Sequence, residues 1–197
     1  MNPILAHFQT VDPIMYELAV RFGIPELTPA PDRFAALCSS IISQQLSTKA
    51  ADTIEARFLE LFPSGLSPES LLKVNPKALR ACGLSNSKVT YVRNIAEHVL
   101  SGSLELSRMD ELDDETVIRE LVAVKGVGRW TAEMFLIFTL ARQDVFSYGD
   151  LGLRRAIQRQ YRLPEEQLIP LYLEPIVTPW KPYRSYASRL LWRSLSP

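Results

Sequence analysis

Cysteine and histidine are scarce in this 197-residue sequence, with two of each. Cys38 and Cys82 are too few for a four-cysteine zinc or iron–sulfur site. They are also too few for a disulfide framework. His7 and His98 lie far apart with no carboxylate motif beside either, so neither a histidine metal site nor a Ser-His-Asp relay is expected. Long hydrophobic runs are missing too. The longest, Met134-Phe-Leu-Ile-Phe-Thr-Leu-Ala141, is far short of the ~20 residues a membrane helix needs. The opening stretch MNPILAHFQTVDP has no basic region leading into an apolar run, so no signal peptide is expected and an intracellular protein follows by default. Eight glycines and fourteen prolines without a period exclude collagen and low-complexity disorder. There is no Asn-Gly or Asp-Gly hairpin signal and no long apolar/polar alternation, which leaves little evidence for strands.

What is present is ordinary for a globular chain: 47% hydrophobic and 22% charged residues. The net charge is zero, which argues mildly against a nucleic-acid binder. The average conceals an asymmetry. Residues 1–120 hold 11 Lys and Arg against 16 Asp and Glu, whereas residues 121–197 hold 11 against 6. That points to an anionic partner for the C-terminal part.

The chain reads as almost entirely helical. Phe34, Leu37, Ile41 and Ile42 fall on one stripe of a helix over 32–46. A second helix follows from a cap at Ser47 or Thr48 to about Phe62. Ser67-Pro68 and Asn75-Pro76 each combine a cap with a first-turn proline and open short helices. Residues 87–100 form an amphipathic helix closed by Gly102. Further helices are predicted from Asp113 or Asp114 to about Ala123, over 129–141, over 150–161 and over 182–192. No linker splits the chain. The expectation is an all-α unit of about ten helices in two lobes, one over about 32–141 and the other from about 1–31 plus 142–197.

The segment richest in chemistry is Leu121-Val-Ala-Val-Lys-Gly-Val-Gly-Arg-Trp-Thr-Ala-Glu-Met-Phe135. A helix ends near Val122, a short turn follows, and a new helix starts at once. Gly126 and Gly128 tolerate positive φ and bring bare backbone N–H groups to the surface at a helix N-terminus, where an anion is favoured. Position 131 is Thr and no strand precedes the turn, so this is not a dinucleotide fingerprint, and it lacks the Gly-Lys-Ser/Thr of a P-loop. Taken alone it fits a phosphate site or a plain helix–helix turn.

Five separated stretches extend the reading. Val124-Lys-Gly-Val-Gly-Arg-Trp-Thr-Ala132 resembles the helix-hairpin-helix of DNA repair glycosylases. Phe146-Ser-Tyr-Gly-Asp-Leu-Gly-Leu-Arg-Arg155 resembles the segment that carries the catalytic aspartate of the same HhH-GPD superfamily. Ile41-Ile-Ser-Gln-Gln-Leu-Ser-Thr-Lys-Ala50 is similar to an element of its alkylation-specific branch. Trp180-Lys-Pro-Tyr-Arg-Ser-Tyr-Ala187, followed by Leu190-Leu-Trp192, resembles that branch's C-terminal helix, and Gly83-Leu-Ser-Asn-Ser-Lys88 fits its middle helix junction. The sequence thus resembles the 3-methyladenine DNA glycosylase II family over about residues 32–192.

The resemblance implies an HhH-GPD helical fold and a monofunctional hydrolase that flips alkylated purines, of the 3-methyladenine and 7-methylguanine type, out of duplex DNA and leaves an abasic site for base excision repair. It implies Asp150 as the catalytic carboxylate, a residue that also suits a helix N-cap. Trp130 stands where bifunctional relatives carry a lysine nucleophile, so no Schiff base is expected there. Trp130, Trp192, Tyr148 and Met134 are the expected base pocket, with core packing the competing role for the tryptophans. One of Gln44, Gln45 and Leu46 is the expected wedge into the helix; the alternative is a polar helix end with Leu46 buried. Lys125, Gly126, Val127, Gly128, Arg129 and Thr131 are the expected phosphate contacts, with Arg154 and Arg155 as further candidates. Two departures bear on the pocket: Met134 replaces an aromatic residue of several relatives, and Gly149 replaces a second acid of some. The N-terminal β domain of some relatives is not expected, since only about thirty residues precede the first match. No organic cofactor is implied. A structural K+ or Na+ on the carbonyls of Val122, Val124 and Val127 is implied, or a turn closed by its own hydrogen bonds. The implied partners are damaged double-stranded DNA, with no membrane and the chain as a monomer, and enzymes that process abasic sites downstream. Two other readings stand beside this one: a non-catalytic helix-hairpin-helix DNA-binding module, and a glycosylase for a different damaged base.

Overall fold

This computed structural model describes residues 2–195, apart from the side chain of Thr48. Among them are twelve α-helices and no strand. No described helix is long and apolar enough to cross a membrane. Two compact units form: Met1–Thr28 with Ala141–Pro197, and Pro29–Leu140.

The first unit opens with α1 (Pro3–Val11) and α2 (Pro13–Phe22). Neither helix is among the sequence expectations, although Asn2-Pro3 and Asp12-Pro13 carry the same cap-plus-proline signature as the two sites that are. The Asn2 and Asp12 side chains accept from the first-turn N–H groups of their helices. α10 (Leu151–Tyr161), α11 (Pro170–Val177) and α12 (Arg184–Leu195) complete the unit. α11 is a third omission: Ile169 offers no polar cap and Pro175 lies inside the helix. α12 starts two residues later than predicted, because Trp180 to Tyr183 form a tight turn in which the Tyr183 N–H donates to the Trp180 carbonyl at 2.7 Å.

One apolar cluster, with Phe8, Met15, Leu153, Ile157, Leu173 and Leu190 at its centre, fills this unit. A buried carboxylate sits within it. Asp12 Oδ2 accepts from the Tyr161 hydroxyl at 2.6 Å and the Trp180 indole N–H at 2.8 Å. Its other oxygen caps α2. Every bond lowers the cost of holding that charge away from water.

The second unit holds α3 (Arg33–Ser43), α4 (Thr48–Leu59), α5 (Pro68–Lys73), α6 (Pro76–Ala81), α7 (Asn86–Leu100), α8 (Asp114–Val122) and α9 (Arg129–Met134). The predicted stripe of α3 is buried as expected, with Cys38 added to it. Burial pushes the Cys38 thiol above its ordinary range, and both cysteines are buried free thiols. α4 stops three residues early. Pro63 disfavours helical geometry at Phe62, and Phe62 turns back onto Phe58 with ring centroids 5.1 Å apart. α9 is shorter than predicted because Phe135–Thr139 widen into one turn of π-helix, with Leu140 N–H bonded to the Phe135 carbonyl at 3.0 Å.

Folding also redistributes the charge. The unit containing the C-terminus holds ten Lys and Arg against eight Asp and Glu, and the other holds twelve against fourteen. The asymmetry between sequence halves therefore shrinks to +2 and −2, and it no longer singles out the C-terminal part.

Candidate functional site

Asp150 is the N-cap of α10, and it is 7% exposed. Its Oδ1 accepts from the Leu153 N–H at 2.7 Å and from the Trp192 indole N–H at 3.0 Å. The cap and a fixed, largely dry carboxylate are therefore one arrangement. α12 holds it in place from two ends. At its start, Arg184 grips the Asp144 carboxylate through Nε at 2.7 Å and Nη2 at 3.0 Å. Ser185 N–H donates to the Gln143 carbonyl, and Ser185 Oγ accepts from the Val145 N–H. Two turns later Trp192 reaches Asp150. The Arg-Ser…Trp pattern thus straps the whole 143–150 segment to one helix.

Gly152 completes this centre; it lies inside the Phe146–Arg155 stretch, which gave it no role of its own. A Cβ placed on it would lie 3.1 Å from Asp150 Oδ1 and 3.1 Å from Trp192 Cδ1. A glycine in the first turn of an otherwise sound helix costs stability, and that misfit was the available signal. Tyr148 packs edge-on against Phe146 at 4.9 Å. Burial, aided by the charge of Glu174, lifts its hydroxyl above the usual tyrosine range, so it remains a protonated donor at neutral pH.

In the second unit, α3 ends at a turn, Gln44-Gln45-Leu46. Gln44 Nε2 donates to Thr131 Oγ1 at 3.0 Å. Gln45 is exposed with φ 58°, a left-handed backbone that non-glycine residues seldom adopt. Leu46 is 37% exposed, so the alternative with a buried Leu46 does not hold. Lys88, the second residue that the sequence left without a role, donates from Nζ to the carbonyls of Ile42 and Gln44, both at 2.8 Å. A cationic side chain on the last carbonyls of a helix satisfies orphan acceptors and opposes the negative dipole end. Burial lowers the Lys88 ammonium below the usual lysine range.

The hairpin lies between α8 and α9. Gly126 has φ 108°, and a Cβ there would fall 2.2 Å from Cγ of Tyr91, so the tyrosine ring occupies the place of a side chain. Gly128 does not use the positive φ that it tolerates: it is extended at φ −93°, and a Cβ added to it would meet nothing within 4 Å. It caps α9 without a side chain, which leaves the first-turn N–H groups accessible from outside. Lys125 is exposed, and its carbonyl accepts from Asn94 Nδ2 at 3.2 Å. Val127 is buried. Two of the expected phosphate contacts are engaged elsewhere. The Thr131 side chain is 2% exposed and holds Gln44, so its backbone N–H is what it can offer an anion. Arg129 is paired with Glu115 at 2.7 Å and Glu133 at 3.0 Å.

The carbonyl set of Val122, Val124 and Val127 consists of hard oxygen donors of the kind that suit an alkali cation. The Val124 carbonyl accepts from the Val127 N–H at 3.0 Å, and its second lone pair leaves room for an ion. No cluster of three or more His, Cys, Asp or Glu able to hold a metal occurs among the described residues.

Trp130 and Met134 come together at a concavity of about 400 Å³, lined also by Ser39, Ser40, Ser43, Phe135 and Phe138. Trp130 is 40% exposed and Met134 9%. An exposed indole over an apolar hollow is a stacking surface for a flat ligand.

The sequence pattern of the HhH-GPD superfamily base excision DNA repair proteins matches residues 38–175. The chain is 36% identical over 166 residues to DNA-3-methyladenine glycosylase 1 of Schizosaccharomyces pombe, covering 82% of this chain and 72% of that one. A Bacillus subtilis relative is 31% identical over 169 residues, which cover 82% of this chain, and this chain spans only 58% of that relative's length. Among solved structures, the S. pombe 3-methyladenine DNA glycosylase in complex with abasic DNA matches with a TM-score of 0.85 at 31% identity, over 97% of this chain and 95% of that one. A DNA-3-methyladenine glycosidase from Bacillus halodurans matches with a TM-score of 0.84 at 37% identity, over 98% and 89%. The chain therefore belongs to the HhH-GPD superfamily of base excision DNA repair proteins and, within it, to the 3-methyladenine DNA glycosylase II family.

Proposed function

We propose that this protein is a monofunctional DNA glycosylase of base excision repair. It hydrolyses the N-glycosidic bond of alkylated purines, of the 3-methyladenine and 7-methylguanine type, in duplex DNA and leaves an abasic site. The observation that carries this reading is the Asp150 carboxylate, buried and held by two N–H donors on one oxygen.

Cleavage of the glycosidic bond sends the bonding pair to the base and leaves an oxocarbenium-like sugar. A fixed carboxylate in a water-poor setting stabilises that cation as it forms, without reorganising at the moment of reaction. Asp150 also orients the water that adds at the anomeric carbon and takes up its proton. The leaving base already carries a positive charge from its extra methyl group, so its departure needs no strong general acid. Trp130 replaces the lysine that a Schiff-base mechanism would need, which leaves hydrolysis alone. Its indole face suits an electron-poor, cationic ring.

Flipping the target base requires something to fill its place in the stack. Gln45 takes that role: Gln44 is tied to Thr131, and of the two exposed residues that follow it Gln45 is the one held in a left-handed backbone. The hairpin amides at Gly126–Gly128 and the Lys125 charge hold backbone phosphate. The carbonyls of Val122, Val124 and Val127 would hold a K+ or Na+ ion, which would supply positive charge toward a phosphate and take no part in bond cleavage. The protein works as a monomer inside the cell, and its product passes to enzymes that process abasic sites.

The test compares wild type with Asp150→Asn on methylated duplex DNA. Wild type releases free methylated purines, strand breaks appear only after alkali, and the variant binds DNA but releases nothing. Breaks before alkali, or release by Asp150→Asn at the wild-type rate, would overturn the reading.

A further inference from the structure

The two DNA-facing turns of the second unit share a support. Lys88, Tyr91 and Asn94 follow one another at three-residue spacing along one face of α7. Lys88 holds the carbonyls of Ile42 and Gln44 at the end of α3. Tyr91 lies where a side chain on Gly126 would go. Asn94 donates to the Lys125 carbonyl at 3.2 Å. A polar groove of about 620 Å³ runs across this face, from Gln44 and Gln45 past Ser87 and Tyr91 to Gly128 and Thr131.

From this geometry we infer that Lys88 is a positioning residue for base flipping: by clamping the last carbonyls of α3 it fixes the Gln44–Leu46 turn at a set distance from the hairpin. The inference rests on the glycosylase reading. Gln45 sits in a left-handed backbone conformation, which persists only where its surroundings impose it. Gln44 is the hinge point, restrained through its carbonyl by Lys88 and through its amide by Thr131. Without the Lys88 contacts the α3 end loses two charge-assisted hydrogen bonds, and the turn relaxes to commoner backbone angles that withdraw Gln45. Lys88 touches neither the base nor the sugar in this scheme, so the chemical step itself is spared.

The experiment uses the full chain and two duplexes carrying one 7-methylguanine. In one it is paired with cytosine; in the other it lies opposite a tetrahydrofuran abasic analogue, which leaves it already unstacked. Single-turnover release is measured for wild type, Lys88→Met and Lys88→Arg, with the thermal midpoint of each. Loss of two charge-assisted hydrogen bonds from the turn predicts that Lys88→Met slows release from the paired duplex roughly tenfold or more. On the unpaired duplex it stays within about twofold of wild type, and Lys88→Arg, which keeps a donor fork, recovers most of the paired rate. Equal slowing on both duplexes, or none on either, overturns the inference. Should Lys88→Met fail to fold, Lys88→Gln replaces it with the same two outcomes. Wild type inactive on both duplexes, though folded and bound to DNA, overturns the alkylpurine reading itself and this inference with it.

Discussion

Trp192 reaches across 42 positions of sequence to donate its indole N–H to the same Asp150 oxygen that caps α10, at 3.0 Å. The cap alone fixes one oxygen in the helix frame, and the indole adds a second direction and a wall. Trp192→Phe keeps the wall and removes the donor. A hydrogen bond to a charged group contributes about 1.5–3 kcal/mol, so the single-turnover rate is expected to fall roughly 10- to 100-fold, with DNA affinity unchanged. Gly152→Ala reaches the same pair from the other side, since its methyl carbon would meet both Asp150 and Trp192 at 3.1 Å. Alanine's gain in helix propensity offsets part of this crowding, so this variant should stay folded yet release base more slowly. A faster or unchanged rate in both variants would deny the pair its role.

The two hairpin glycines are predicted to differ. Gly126→Ala forces a left-handed backbone on alanine and drives its Cβ into Tyr91. Strain and overpacking together give a loss of about 2–4 kcal/mol in unfolding free energy. Tyr91→Ala should relieve part of this in a double-mutant cycle. Gly128→Ala meets no atom and no unusual φ. Its stability cost is that of a poorer N-cap, about 1 kcal/mol or less, while its methyl group stands where, on the proposed function, a phosphate approaches the first-turn amides. DNA affinity should therefore fall in Gly128→Ala by a factor that its stability does not explain. Urea unfolding and fluorescence anisotropy on the same samples separate the two effects.

Much of this arrangement is legible in the sequence. Cap-plus-proline pairs and apolar stripes locate most helices, because both act within a few residues. The same signature at Asn2-Pro3 and Asp12-Pro13 shows that α1 and α2 are equally legible. α11 is not, because its N-cap Ile169 carries no polar side chain and a proline interrupts it. Asp150, the hairpin and the Gln44–Leu46 turn emerge from spacing and resemblance. The roles of Lys88 and Gly152 do not, although both lie inside the matching stretches, since each acts on a partner far away in the chain: Lys88 on carbonyls 44 and 46 positions back, Gly152 on an indole 40 positions ahead. Arg129 departs from expectation for a similar reason. A charge beside a glycine hairpin at a helix start invites a phosphate role, and only the fold shows two carboxylates already holding it.

That pairing makes Arg129 the subject of the last prediction. Glu115 and Glu133 neutralise the guanidinium, and Arg129 in turn holds the Glu115 carboxyl below its ordinary range, chiefly by hydrogen bonding. A neutralised arginine releases few counterions on binding DNA, so Arg129→Gln should leave the slope of log K against log salt almost unchanged, whereas Lys125→Gln should reduce its size by about 0.9. Glu115→Gln should do the opposite of both, freeing part of the guanidinium, steepening the slope by up to about 0.9 and tightening binding roughly two- to fivefold at low salt. The pH dependence has a definite sign. A carboxyl whose folded pKa is lowered adds stability that is present above its unfolded value near 4.5 and is lost as pH falls through the lower folded value. The thermal midpoints of wild type and Glu115→Gln should therefore differ at pH 7 and converge below the unfolded glutamate range. A steeper salt slope in wild type than in Arg129→Gln, by a full charge, would show that Arg129 leaves its carboxylates for phosphate and would restore it to the DNA contacts.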